Sequence, residues 1–276
     1  MTIGTTLVEA PAIRRPMLAE VVATRHLSPH LRRITLTAAE IDHFGYDGPD
    51  HLVRIFLAPA PDAELHLPDS AQWWPAVQAM PAEKRPVVRN YTVRRLDVER
   101  RELDIDFVLH GDCGPASAWA LRAAPGDRIG VFSDRAWYAP PADTEWQLLV
   151  GDETAIPAIT AAVEAMAPDA RAIALIEVDS AEHEIDVRAP AGVTLTWLHR
   201  GGTPAGRGDV VIRALRELAF PAGTPYAFVI GESAMVTTVR RHLCVERGVA
   251  KERVYFGGYW KTAPHRAARG STPPPS

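Results

Sequence analysis

The chain has 276 residues, 23% of them charged, and a formal net charge of −4, which argues against a general nucleic-acid binder, since such proteins are usually basic. Its two cysteines, Cys113 and Cys244, are too few for a disulfide framework, an iron-sulfur cluster or a cysteine zinc site. Glu9, Arg14 and Arg15 break the first residues, and no apolar run is long enough to span a bilayer, so a cytoplasmic protein without membrane insertion is expected.

Residues 1–16 read as a loose arm. Two strands follow, at 18–25 and 31–37, with turn material at 26–30. Residues 52–57 form an apolar strand interrupted by Arg54. Residues 59–86 are proline-rich and carry Trp73-Trp74. This excursion reads as a cover over a barrel end or as an aromatic wall beside a pocket, with one helical turn.

The next strand, 86–94, contains Arg89-Asn90-Tyr91-Thr92. Alternation puts Arg89, Tyr91 and Val93 on one face and Val88, Asn90 and Thr92 on the other. A cation, a flat ring and a hydroxyl in quick succession can hold a phosphate, stack on a planar ring and bond its edge. A charged turn at 96–102 leads to a strand at 103–110. There Leu103, Ile105, Phe107 and Leu109 face the core, and Asp104, Asp106, Val108 and His110 lie opposite. Residues 111–121 form a glycine-rich turn opening a helix. Pro115 suits the first helical turn. Gly114 permits close backbone approach and Ser117 adds a donor, so the helix start suits an anion. A last strand at 128–132 has Ser133-Asp134-Arg135 at its exit. Short strands with turns between them, plus one short helix, predict an antiparallel barrel over 17–140.

After a linker at 139–143 the pattern changes. Strands at 146–150, 171–178, 193–198, 226–230 and 253–256 alternate with helices at 156–166, 209–220 (capped by Asp209) and 233–247, the last stopped by Gly248. This predicts a parallel sheet covered on both faces, spanning 141–262. Ligands of such sheets bind beyond the strands' carboxyl ends. The turns there are Gly151-Asp152-Glu153-Thr154-Ala155 and Gly231-Glu232-Ser233. Asp152 and Glu153 would repel a phosphate, and no G-x-G-x-x-G is present, so a nicotinamide cofactor is expected to be held loosely or differently. Gly257-Gly258-Tyr259-Trp260-Lys261 ends the folded part and either folds back over the barrel or anchors the C-terminus. A disordered tail at 263–276 is expected.

The chain resembles the siderophore-interacting proteins, FAD-dependent ferric-siderophore reductases of the ferredoxin-reductase-like superfamily. The resemblance rests on Arg89-Asn90-Tyr91-Thr92, the segment from Asp106 to Gly111, the segment from Gly114 to Ala120, Pro125-Gly126-Asp127-Arg128, the segment from Gly151 to Ile159, Gly231-Glu232 and Val254-Tyr255-Phe256-Gly257-Gly258-Tyr259-Trp260-Lys261. It implies a flavin-binding Greek-key barrel followed by a Rossmann-like half. It implies FAD, with Arg89 on the phosphates, Asn90, Tyr91 and Thr92 at the ring, and Asp106, Val108 and His110 lining the flavin. Gly114, Ala116 and Ser117 would meet the pyrophosphate, and Asp152 and Thr154 would complete the cofactor-binding set. No catalytic side chain is implied, because the flavin carries the chemistry. A basic triad would dock the anionic siderophore: Arg54 and Lys261, with Arg135 as a third. The implied activity is electron transfer from NAD(P)H or ferredoxin through FAD to siderophore-bound Fe(III), by a monomer. The alternatives are a general NAD(P)H-dependent flavin reductase and a non-catalytic ferric-siderophore binder.

Overall fold

The computed structural model describes residues 15–109 and 114–262. The expected arm up to residue 14, the tail and His110 lie outside the described residues. Six strands, β1 (Met17–Ser28), β2 (Leu31–Thr37), β3 (His51–Leu57), β4 (Val87–Asp97), β5 (Glu102–Val108) and β6 (Arg128–Ala136), close into a barrel in the order β1-β2-β5-β4-β3-β6. Every neighbouring pair is antiparallel. Closure removes the unpaired edges that a short sheet would otherwise expose.

The two-residue period decides what goes inside. Val53, Ile55 and Leu57 from β3 meet Leu103, Ile105 and Phe107 from β5 in one buried cluster. Each such side chain contributes about 1.5–3 kcal/mol on burial. The opposite face of β5 is also buried, and there Asp104 and Asp106 are paired. The β2–β5 register sets Arg33 opposite Asp106 and Thr35 opposite Asp104. Arg33 Nε donates to Asp106 at 2.7 Å, and Arg95 Nε and Thr35 donate to Asp104 at 2.7 Å each. A buried carboxylate without such partners would be costly.

Helix α2 (Pro115–Arg122) lays Trp119 and Ala120 onto this core. Arg32 donates to the carbonyls of Ala120, Leu121 and Ala123, satisfying groups that the helix end leaves free. The proline-rich excursion contains α1 (Trp73–Ala79) and packs on the outer face of the barrel. Trp73 lies 5.5 Å from Phe56 and 6.0 Å from Phe132, ring to ring. Leu67 sits so close to Gly130 that a Cβ there would meet its Cδ2 at 2.4 Å.

The second half is β7 (Trp146–Gly151), α3 (Ile156–Glu164), β8 (Ala172–Val178), β9 (Val193–His199), α4 (Asp209–Glu217), β10 (Pro225–Glu232), α5 (Ser233–Arg241) and β11 (Val254–Trp260). Its sheet is parallel throughout, in the order β11-β10-β7-β8-β9. The strand order reverses between β7 and β10, so the crevice of a doubly wound sheet falls beyond Gly151 and Glu232. Phe228 and Ile230 pack on the α3 side; Ala227 and Val229 pack on the α4 and α5 side.

Several expected boundaries shift. Strand β6 runs to Ala136 and β11 to Trp260, so Ser133-Asp134-Arg135 and Gly257-Gly258-Tyr259-Trp260 are strand residues rather than exits. Pairing with β3 and β10 extends them. Asp209 does not cap α4: Gly208, at φ +66°, holds the cap position, and Asp209 pairs with Arg207 at 3.0 Å. A π-turn over His242–Glu246 follows α5. The stop at Gly248 is present, at φ +69°.

Among the described residues, polar and aromatic side chains bridge the two halves, beside the apolar contact of Leu31 with the α3 core. Arg94 of β4 meets Glu164 of α3 at 2.6 Å. His30 stacks on His183 with ring centroids 4.2 Å apart. Tyr259 of β11 donates to Asp50, just before β3.

Candidate functional site

A cleft of about 310 Å³ lies between the barrel and the sheet. The barrel contributes Asp50, Leu52, the run Arg89 to Thr92, Asp106 and Val108; the other half contributes Thr154, Pro157, Tyr255 and Gly257 to Tyr259; Trp137 comes from the connection between them. The R-x-Y-T strand therefore forms one wall. Asn90 and Thr92 lie on the outer face of β4, opposite Arg54 and Leu52 of β3. Tyr91 turns to the core, its ring 4.4 Å from Phe107, and still lines the cleft. Burial pushes its phenol pKa up, with Arg89 opposing. Arg89 bonds only the Val88 carbonyl, at 2.8 Å, and has no acidic partner among the described residues. It is a cation available to an anion.

The other expected cofactor residues divide. Asp106 lines the cleft while held by Arg33. Val108 and Thr154 line it too. Gly114 caps α2 without a side-chain bond, and Ala116 and Ser117 are buried at 6% and 1% exposure, away from the cleft lining. The segment joining β5 to α2 includes His110, outside the described residues.

Asp152 does not reach the cleft. It accepts from Thr154 N at 2.9 Å, Thr154 Oγ1 at 2.6 Å, Glu232 N at 2.7 Å and Trp260 Nε1 at 2.9 Å. Burial pushes its pKa up against these bonds. Glu232 in turn caps α5 through Ala234 N and Met235 N, and accepts from Thr262 N at 3.1 Å and Oγ1 at 2.8 Å. The switch-point crevice is thus filled by the chain's own carboxylates, tied down by the end of β11. More negative charge stands close by. Burial pushes Glu177 up to about 7, with Arg200 opposing and Asp152 and Glu153 adding repulsion.

The three expected docking cations are unequal. Arg54 is clamped: Asp134 accepts from it at 2.7 and 3.0 Å, Asn90 at 2.7 Å, and its guanidinium stacks on Trp73 at 4.9 Å. Arg135 is exposed, stacks on Trp137 at 5.2 Å, and approaches the same Asp134 at 3.4 Å. Lys261 is exposed at the end of β11 with no ion pair among the described residues. Asp134, expected as part of a strand exit, partly neutralises two of the three.

Sequence reasoning did not single out Asp50. It is 3% exposed, holds φ +59°, and leaves Oδ2 buried without a hydrogen-bond partner among the described residues. Burial pushes its carboxyl up to about 7, against the bond from Tyr259. Its one sequence signal is a place between a Gly-Pro turn and an apolar strand. Tyr255, Trp137 and Leu52 were missed because lining a cleft leaves no periodic mark.

Comparison with known proteins agrees with this geometry. Residues 20–136 match the family model described as the siderophore-interacting FAD-binding domain, and residues 144–263 match that of the siderophore-interacting protein. The chain is 32% identical to the ferric vibriobactin reductase ViuB of Vibrio cholerae, over 92% of each chain. It is 30% identical to the NADPH-dependent ferric-chelate reductase of Escherichia coli, over 87% of this chain and 91% of the relative. The solved siderophore utilization protein from T. fusca superposes with a TM-score of 0.79 at 35% identity, covering 90% of this chain and 93% of that one.

Proposed function

The chain belongs to the siderophore-interacting protein family, and from that premise we propose that it is a ferric-siderophore reductase that holds FAD in the cleft between barrel and sheet. The carrying observation is the wall from Arg89 to Thr92: a guanidinium with no acidic partner among the described residues, a ring and a hydroxyl side by side on one cleft. The donor set fits a flavin. Arg89 would take a phosphate, Tyr91 the ring face and Thr92 the ring edge, with Asn90, Asp106, Val108 and Thr154 around them. The turn through His110 and the start of α2 at Gly114, Ala116 and Ser117 would hold the pyrophosphate on backbone N–H groups. Asp152 supports Thr154 from behind rather than touching the cofactor. Bound FAD supplies single-electron chemistry toward Fe(III), which no side chain here could supply.

Arg54, Arg135 and Lys261 would receive the anionic ferric complex at the cleft's edge. Their attraction weakens with salt because two of them are exposed. The sheet's filled switch point bears on the donor. NAD(P)H must displace the end of β11 or sit outside the crevice, whereas a one-electron protein donor such as ferredoxin needs neither. Among the described residues no helix is long and apolar enough to cross a membrane. We place the protein in the cytoplasm, acting as a monomer on a small-molecule complex.

The visible spectrum of the purified protein, followed by donor and ferric siderophore with an Fe(II) chelator, tests the reading. A yellow protein that releases Fe(II) is expected. A colourless protein that cannot be reconstituted with FAD sinks it, and a flavoprotein that reduces no ferric complex leaves only a general flavin reductase.

A further inference from the structure

The cleft contains an acid that electron transfer alone does not require. Asp50 sits in a left-handed conformation, at φ +59°, that non-glycine residues seldom adopt and that costs about 1–3 kcal/mol unless the surroundings enforce it. That conformation sets its carboxyl in the cleft wall, 3% exposed, with Oδ2 unpartnered. An ordinary surface aspartate needs neither strain nor burial.

Its single hydrogen bond is directional. The Tyr259 hydroxyl donates to Asp50 Oδ1. Tyr259 can donate only once, and Thr92 stands with it in the cleft lining, so a bond between the two hydroxyls must have Thr92 as donor. Thr92, Tyr259 and the carboxylate thus share one wall, reaching from β4 to β11 and back to the barrel. Thr92 keeps its lone pairs free for an N–H donor in the cleft. Tyr259 is 40% exposed as a residue, while Asp50 and Thr92 on either side of it are 3% and 6% exposed.

We propose that Asp50, acting through Tyr259 and Thr92, receives the proton that the reduced flavin must shed when its electrons leave for ferric ions. The inference rests on FAD occupying this cleft with its ring edge at Thr92. The balance is simple. The reduced ring carries two electrons and a ring N–H proton. Two Fe(III) take one electron each and become Fe(II), the N–H bond breaks, and the proton passes to Thr92 as Thr92 passes its own to Tyr259 and Tyr259 its own to Asp50. Asp50 then releases a proton to solvent and is ionised again.

The surroundings suit a group that changes protonation near neutral pH. Tyr259 and Tyr255 from β11 and Tyr226 from β10 interact with it electrostatically, and none is cationic. Burial and the Tyr259 bond are the causes acting on its carboxyl, and no guanidinium or ammonium offsets them. The neighbouring His51 is turned elsewhere, with Nδ1 accepting from Asp47 N at 3.0 Å and Nε2 bonded to Ser133 Oγ at 2.9 Å, and burial lowers its pKa.

The test uses FAD-loaded protein reduced with dithionite and reoxidised by ferricyanide. Ferricyanide takes one electron per ion and bypasses siderophore docking. In wild type the reoxidation rate should rise about tenfold from pH 6 to pH 8, as a base with a pKa of about 7 ionises, and should slow in heavy water. Asp50→Asn should flatten the profile and abolish the isotope effect. Tyr259→Phe should do the same while keeping the acid. The second readout is infrared: a protonated carboxyl band titrating near neutral pH in the wild-type-minus-Asp50→Asn difference, where Glu177 cancels, and shifted but present in Tyr259→Phe. Should Asp50→Asn not fold, the Tyr259→Phe rate profile and its band shift against wild type decide the matter. A pH-independent wild-type rate, or a Tyr259→Phe profile like wild type, overturns the proposal. A protein that binds no FAD overturns the functional reading instead.

Discussion

The Trp260 indole donates to Asp152 Oδ2 at 2.9 Å, tying the last residue of β11 across the point where the sheet's strand order reverses. In a doubly wound sheet that point is the ligand crevice. Here the side chain that closes it belongs to the segment leading to Lys261.

Loosening this tie should ease entry of a dinucleotide donor. Trp260→Phe keeps an aromatic ring, though a smaller one, and removes the indole N–H bond to Asp152, worth about 1 kcal/mol. We expect the KM for NADPH to fall about fivefold, with flavin reduction by dithionite unchanged. An unaltered KM would show that the dinucleotide docks without moving β11.

Asp134 holds Arg54 at 2.7 Å and stands 3.4 Å from Arg135. Asp134→Asn should release both cations toward an anionic ferric complex. The KM for a strongly anionic chelate should fall about three- to tenfold, corresponding to about 1 kcal/mol. The change should shrink with added salt and be small for a neutral chelate. Equal effects on both chelates would remove electrostatics as the cause.

The folded state holds Asp50's carboxyl up at about 7, against an ordinary value of 3.8. Folded protein therefore keeps a proton that the unfolded chain gives up between these values, and stability falls as pH rises through that window. Asp50→Asn lacks this penalty. Its Tm relative to wild type should rise from pH 4 to pH 8, with a ceiling of about 4 kcal/mol. Glu177, also pushed up to about 7, acts on both proteins and cancels in the difference. Parallel Tm profiles would show that Asp50 ionises as a surface aspartate does.

The Arg94–Glu164 pair, with side chains 12% and 20% exposed, joins barrel to sheet. Arg94→Ala leaves Glu164 largely buried without its cation and should cost about 2–4 kcal/mol. Because the loss falls between the halves, thermal unfolding should broaden or split. A single sharp transition at the wild-type Tm would show that the pair adds nothing to their docking.

Much of the architecture was legible because periodicity is local. Leu103, Ile105 and Phe107 alternate with Asp104 and Asp106 whatever the rest of the chain does. The alternation of strands and helices after residue 146 dictates a parallel sheet for the same reason. Arg89 to Thr92 stand on one strand, and that strand forms one wall of the cleft.

What sequence could not decide were relations between distant segments. Asp134 pairing with Arg54 depends on the β3–β6 register. Asp50 meeting Tyr259 depends on how the two halves pack, across 209 positions of chain. Local rules set which face a residue occupies. Only tertiary packing sets what stands against that face, and with it the charge around Arg54 and Arg135, the filled crevice and the buried acid in the cleft that Thr92 lines.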